Sequence, residues 1–162
     1  MSTAYDRLDA WIDAHFDEQV RFLQALVQVP TDTPPGNNAP HAERTGELLA
    51  EMGLVAERHP VPPAEVQAQG MQSITNLVTR RRFGPGGPTI ALNAHGDVVP
   101  PGEGWQHDPY GGEIEGGHLY GRASAVSKSD FATYTFALRA LAAAAPPTQG
   151  AVELHFTYDE EF

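Results

Sequence analysis

The stretch Thr89-Ile90-Ala91-Leu92-Asn93-Ala94-His95-Gly96-Asp97 decides how this chain folds. An apolar run ends abruptly in a His-Gly-Asp triplet, which reads as a buried strand and the turn beyond it. A second stretch has the same form: Ala151-Val152-Glu153-Leu154-His155-Phe156-Thr157-Tyr158 ends in Asp159-Glu160-Glu161. Between them, Ser127 to Ala144 reads as one helix. A strand–helix–strand crossover makes its two strands parallel. His95 and the Glu160/Glu161 pair are therefore expected on one edge of a sheet, beyond the strands' carboxyl ends, where α/β sheets bind ligands.

Working outward, residues 5–28 carry Leu8, Trp11, Ile12, Phe16, Val20, Leu23, Leu26 and Val27 at helical spacing, and Pro30 ends the helix. Residues 31–40 form a Pro/Gly/Asn-rich loop. A second helix presents Leu48, Leu49 and Met52 on one face and stops at Gly53. Short strands are expected at 54–59 and 74–81, with 60–72 irregular and 83–88 a turn. Residues 100–117 form a long loop dense in Gly and Pro. The expected fold is α/β: a mixed, mostly parallel sheet with helices on both faces.

The 162 residues suffice for one domain with a core; 41% are hydrophobic and 19% charged, as in an ordinary globular chain. A formal net charge of −11 argues against nucleic acid, whose binding needs a basic stripe. There is no cysteine, so a metal here must be held by His, Asp and Glu. The N-terminus lacks a secretory pattern and no apolar run approaches the roughly 20 residues of a membrane span, which gives the expectation of a cytoplasmic protein with no membrane partner.

A zinc site takes imidazole and carboxylate ligands and keeps a position open for water. Asp97 can orient His95 through the imidazole's second nitrogen. Of the adjacent Glu160 and Glu161, one can ligate while the other stays free as a base. Alone, a strand-end histidine reads as a solvated residue and Asp-Glu-Glu as an exposed acidic turn; their joint occurrence after two apolar strands favours a site.

The ordered segments Asn93-Ala94-His95-Gly96-Asp97-Val98-Val99-Pro100, Gly104-Trp105, Asp108-Pro109-Tyr110, Leu119-Tyr120-Gly121-Arg122, Lys128 and Thr157-Tyr158-Asp159-Glu160-Glu161 resemble the aminoacylase, acetylornithine deacetylase, succinyl-diaminopimelate desuccinylase and carboxypeptidase G family of dizinc hydrolases. Phe22 to Pro30 and Pro34-Pro35-Gly36 resemble its opening helix and loop. The resemblance implies a zinc-exopeptidase-like fold with His95 and Glu161 as metal ligands, Asp97 as the carboxylate supporting His95, and Glu160 as general base. It implies two zinc ions about 3.5–4 Å apart, with cobalt or manganese as substitutes. The implied reaction is hydrolysis of an amide in a peptide or N-acyl amino acid, and the full-length relatives are expected to form homodimers.

Two departures from the family pattern stand out. Val126 occupies the place of the aspartate that bridges both metals, and valine cannot ligate. Asp130, four residues on, has two readings: it reaches back to the vacated metal position, or it closes a capping box with Ser127 at the helix start. The chain also stops at Phe162, where the family continues with the rest of the catalytic domain and a lid domain. Residues 1–162 are thus expected to be the N-terminal part of a metallohydrolase catalytic domain, incomplete at the C-terminus and inactive or nearly so alone, with its last strand at or near an unfinished sheet edge. The alternatives are a metal-free relative that binds a ligand, or a half-domain that pairs with a partner.

The remaining candidates read as structural. His107, His118 and His155 are possible stray ligands, while His15, His41 and His59 lack metal-ligand spacing. Trp105 and Tyr110 line a substrate pocket or bury the long loop. Arg80-Arg81-Arg82 reads as a solvated turn, and Lys128 as a solvent-facing or acid-paired lysine. Gly84 to Gly87 is not followed by the Lys-Ser/Thr of a phosphate loop.

Overall fold

The computed structural model describes residues 2–161. Helix α1 spans Ala4–Val27. The Thr3 hydroxyl accepts from the Asp6 N–H at 3.1 Å and the Asp6 carboxylate accepts from the Thr3 N–H at 2.7 Å, a reciprocal cap on its first turn. Helix α2 runs Ala39–Glu51 with Pro40 in its first turn. Gly53 (φ +74°) takes the left-handed turn just after it. Helix α3, Pro63–Ala68, falls within the segment expected to be irregular; Pro63 presets its first turn, and six residues are too few to show a helical period. Helix α4 is Lys128–Ala144.

The strands are β1 (Ala56–Pro60), β2 (Thr75–Gly84), β3 (Thr89–His95), β4 (Glu113–Glu115), β5 (His118–Tyr120) and β6 (Gly150–Thr157). β4 and β5 form a small hairpin around Gly116-Gly117, at the end of the stretch read as loop. The main sheet has the order β1-β2-β6-β3. β3 and β6 are parallel, as the α4 crossover requires, with His95 opposite Thr157. β1–β2 and β2–β6 are antiparallel, so the sheet is mixed as expected but, among the described residues, mostly antiparallel rather than mostly parallel.

The last strand, expected at or near an edge, lies one strand in: β6 is interior, and the edges among the described residues are β1 and β3. The turn after β2 does not return β3 onto β2. It leaves a slot in which the start of β6 is bonded, through Gly150 N–H to the Gly86 carbonyl (2.7 Å) and Ala151 N–H to the Pro88 carbonyl (3.0 Å).

Side-chain alternation sorts the sheet into two unlike faces. Leu77, Ala94, Leu154 and Phe156 are buried on one face, in a single core cluster with Phe22 and Leu26 of α1, Leu48 and Leu49 of α2, Val66 of α3, and Phe131 and Phe136 of α4. The other face carries Val78, Arg80, Ala91, Asn93, Glu153 and His155, partly or fully exposed. Helices on both faces were expected, yet all four join the core of one face. The other is polar: Arg80 pairs with Glu153 (2.6 Å) and Glu57 (3.2 Å), and His155 meets Glu153 at 3.1 Å. The Glu153-Leu154-His155-Phe156 alternation is the pattern of a strand buried on one side. The same contacts place Arg80 to Arg82 within β2 rather than in a turn.

Phe156, without exposed surface at the centre of this core, should cost about 3–5 kcal/mol when cut to alanine. Asn93→Ala on the open face should stay within about 0.5 kcal/mol. Urea unfolding of the two variants checks the assignment of the faces.

Candidate metal centre

The site begins at the carboxyl ends of β3 and β6. Gly96 continues their ladder by donating to the Thr157 carbonyl at 2.8 Å. A β-carbon on Gly96 would lie 2.6 Å from Cε1 of Tyr158 and 3.1 Å from Cζ of Phe131, so only glycine fits this close approach. The next residue, Asp97, has a side chain with no solvent exposure. Its Oδ2 accepts from the backbone N–H groups of Glu160 and Glu161, both at 3.0 Å. One buried carboxylate thus sets the turn that carries the acidic pair.

His95 Nδ1 lies 3.1 Å from the Asp97 carbonyl and 3.4 Å from Asp97 Oδ1. A carbonyl only accepts, so this bond puts the proton on Nδ1 and leaves the Nε2 lone pair free. Nε2 faces Glu160 Oε2 at 3.7 Å. Ligating atoms of His95, Glu160 and Glu161 all lie within 4.8 Å of one another, close enough to converge on one cation after small side-chain adjustments. Among the described residues, no Lys or Arg forms an ion pair with Asp97, Asp159, Glu160 or Glu161. Asp97 Oδ1 is buried without a hydrogen-bond partner. A crowd of carboxylates with one imidazole and no basic side chain is chemistry suited to a divalent cation, and the donor set of one nitrogen and two carboxylates is one that zinc accepts. Burial, and then the charge of Asp97, push the Asp159 carboxyl above its usual range.

Asp130 does not join this cluster. Its carboxylate accepts from the Ser127 hydroxyl at 3.0 Å, which corrects the expectation that it reaches back to the metals. Ser127 makes no side-chain bond to the helix backbone, so the capping box is not formed either. Val126, in place of the bridging carboxylate, is 67% exposed. His107 lies in a separate group with Glu113 and Glu115, bonded to Glu113 at 2.8 Å and stacked on Tyr120. His118 and His155 make contacts away from the site.

The largest departure from sequence reasoning is Lys128, expected to face solvent or pair with an acid and fully buried here. Its Nζ donates to the Val29 carbonyl at 2.8 Å and stands 5.9 Å from the centre of the Tyr110 ring. Tyr110 in turn donates to Asp32 at 2.5 Å. Burial pushes the Lys128 ammonium down to about 7, with the Asp32 charge pulling the other way. His41 is also fully buried, with Nδ1 2.8 Å from the Tyr158 hydroxyl. Burial first, then the Lys128 charge, hold it well below the usual imidazole range. Burial pushes the Tyr158 phenol upward. The signal for Lys128 was its position at the head of the helix whose next turns, Phe131-Ala132 and Thr135-Phe136, are buried.

The folded chain holds the Lys128 proton only up to about pH 7, and the unfolded chain to about 10.5. Between these values the unfolded state binds more protons, so stability rises with pH. Buried His41 acts in the same direction as pH climbs towards 6.5, because there too the unfolded chain is the more protonated. Thermal denaturation should show the midpoint rising from pH 7 to 9.5, and Lys128→Met should flatten that rise.

Residues 91–162 match peptidase family M20/M25/M40. The chain is 38% identical over 141 residues to a succinyl-diaminopimelate desuccinylase of Methylobacterium sp. (strain 4-46), covering 85% of this chain and 33% of the relative. It is 39% identical over 144 residues to the enzyme of that name from Gluconobacter oxydans, covering 89% and 35%. The chain thus spans about a third of the length of the curated relatives it matches. In fold it is similar to human carnosine dipeptidase 1 (TM-score 0.69, 21% identity, 94% of this chain and 34% of that one). It is similar also to the dipeptidase Dug1p of Saccharomyces cerevisiae (TM-score 0.68, 16% identity, 94% and 34%). This chain is therefore similar over most of its length to succinyl-diaminopimelate desuccinylases, over residues 91–162 to peptidase family M20/M25/M40, and in fold to dipeptidases.

Proposed function

We propose that this chain carries one half of a metal-dependent amide hydrolase centre, acting on a peptide or an N-acyl amino acid. The convergence of His95, Glu160 and Glu161 over the buried Asp97 carboxylate is the observation that carries this reading. His95 Nε2 and Glu161 would hold the metal, zinc by first preference and cobalt or manganese as substitutes. When bound, the metal supplies Lewis-acid polarisation of the amide carbonyl and lowers the pKa of water.

The chain's own residues do the rest. Asp97 holds His95 in the tautomer that presents Nε2 and fixes the backbone from which both glutamates project. Glu160, 65% exposed at its side chain, is open to substrate; as general base it takes a proton from the attacking water and then gives it to the leaving nitrogen. Val126 offers no bridging ligand, so at the ends of β3 and β6 we expect one metal position rather than two. Turnover by this chain alone is therefore expected to be weak or absent. Among the described residues no helix is long and apolar enough to cross a membrane, and a cytoplasmic location is the proposal that goes with a small polar substrate.

The exposed Val126 favours one alternative, a metal-free relative that binds ligand without cleaving it. Elemental analysis after dialysis separates the two. The parent chain and Asp130→Ala are both expected to retain close to one equivalent of zinc, and His95→Ala to lose it; a parent chain that retains none overturns the metal reading. In a longer chain that turns over, Glu160→Gln should lower hydrolysis about 10²–10⁴-fold while metal stays bound.

A further inference from the structure

Beside the acidic turn lies a groove of about 380 Å³, within the usual range of about 300–1,000 Å³ for small-molecule pockets. Val66, Met71 and Ile74, all core residues, form its apolar floor. Among the described residues its only charged lining residues are Glu65 and Asp159, both acidic. Among the described residues neither forms an ion pair nor accepts a side-chain hydrogen bond, whereas Arg80, Arg44, Arg58 and Arg139 are each committed to other acids. Asn76 accepts from the Tyr158 N–H at 3.3 Å and ties the groove wall to the end of β6. Asp159 directly precedes the Glu160/Glu161 pair, and its positive φ of 121° turns the chain between groove and metal centre.

An apolar floor with an unpaired acidic rim matches a side chain that has an aliphatic stem and a cationic end. We propose that the groove seats a lysine-like side chain of the substrate, its ammonium held between Glu65 and Asp159. The net charge of −11 favours the same sign of ligand. This specificity rests on the amide-hydrolase reading for its purpose, but the groove's charge preference can be measured without turnover.

The test is an NMR titration of the full chain with two neutral-backbone probes, Nα-acetyl-lysine amide and Nα-acetyl-norleucine amide, which differ in the terminal charge. The lysine probe should bind about two- to fivefold more tightly, the size of one solvent-accessible ion pair, with shifts at Val66 and Ile74. Glu65→Gln, on the exposed side of α3, should weaken that preference while leaving norleucine binding and zinc content unchanged; Glu65→Lys should reverse it. Equal affinities, no binding of either probe, or a preference that survives both variants overturns the proposal. Zinc retention without a lysine preference sinks the groove and leaves the metal reading standing; a lysine preference without zinc does the opposite.

Discussion

The candidate site hangs on the Asp97 carboxylate. Among the described residues, Asp159, Glu160 and Glu161 follow one another with no lysine or arginine paired to them, and mutual repulsion alone would splay such a turn into solvent. Two backbone N–H groups bonded to one buried oxygen hold it back. Hydrogen bonds to an ionised acceptor are the stronger kind, and this pair acts where water does not compete. The lock works only if β3 and β6 are neighbours, parallel and in the register that puts His95 opposite Thr157. That arrangement demands the α4 crossover, and Gly96 must lack a side chain for Tyr158 to close over it. Fold and site are therefore one constraint seen at two scales.

Beneath the turn runs a second, buried polar layer. His41 meets Tyr158, and both rings pack edge-on to Phe131. Lys128 reaches across to Val29 and shares its surroundings with Tyr110 and Asp32. Asp32 also bridges to Val98, and the neighbouring Thr33 N–H donates to the Val98 carbonyl at 2.8 Å. The loop after α1, the loop after Asp97 and the head of α4 are thus joined by a few groups whose desolvation is costly unless each keeps its partner. Such a layer specifies one arrangement of three loops around the metal centre, which apolar packing would do less sharply.

His95, Glu160 and Glu161 were legible because apolar strands point to their own ends, and a crossover helix tells which ends coincide. The helix boundaries were legible from Pro30, Gly53 and the apolar spacing of Leu23, Leu26 and Leu49. Other features depended on three-dimensional neighbours. Lys128 shares a helix face with Phe131, Ala132, Thr135 and Phe136, which signals burial, but nothing local says that Val29 and Asp32 will enclose it. Asp130 could be drawn towards metal or cap, and its actual partner is the Ser127 hydroxyl. The place of β6 between β2 and β3 follows from a slot that the turn at 84–88 leaves open, a long-range fact with no period of its own. The polar outer face was written in the Glu153/His155 alternation, but the crossover suggested helices on both sides and outweighed it.

Likeness of fold alone would not justify a chemical reading, since dipeptidases at 16–21% identity share the architecture without fixing any residue's role. The argument for chemistry is electrostatic. Among the described residues, four carboxyl groups lie at the ends of two adjacent strands, one of them fully buried, with a single imidazole and no lysine or arginine in an ion pair with them. An arrangement built only for stability would place a basic side chain there, as Arg80 is placed between Glu57 and Glu153 on the open face of the same sheet. The contrast between the two faces favours a mobile cation at the strand ends over a purely structural acidic turn. In the proposed reading, Val126 bears on how many cations can be held, because the resemblance puts it where a bridging carboxylate would stand, and it leaves the lock at Asp97 undisturbed. A centre with a single metal position would keep the proposed base, ligands and scaffold, and would lack the second positive charge that shares the stabilisation of the reacting carbonyl.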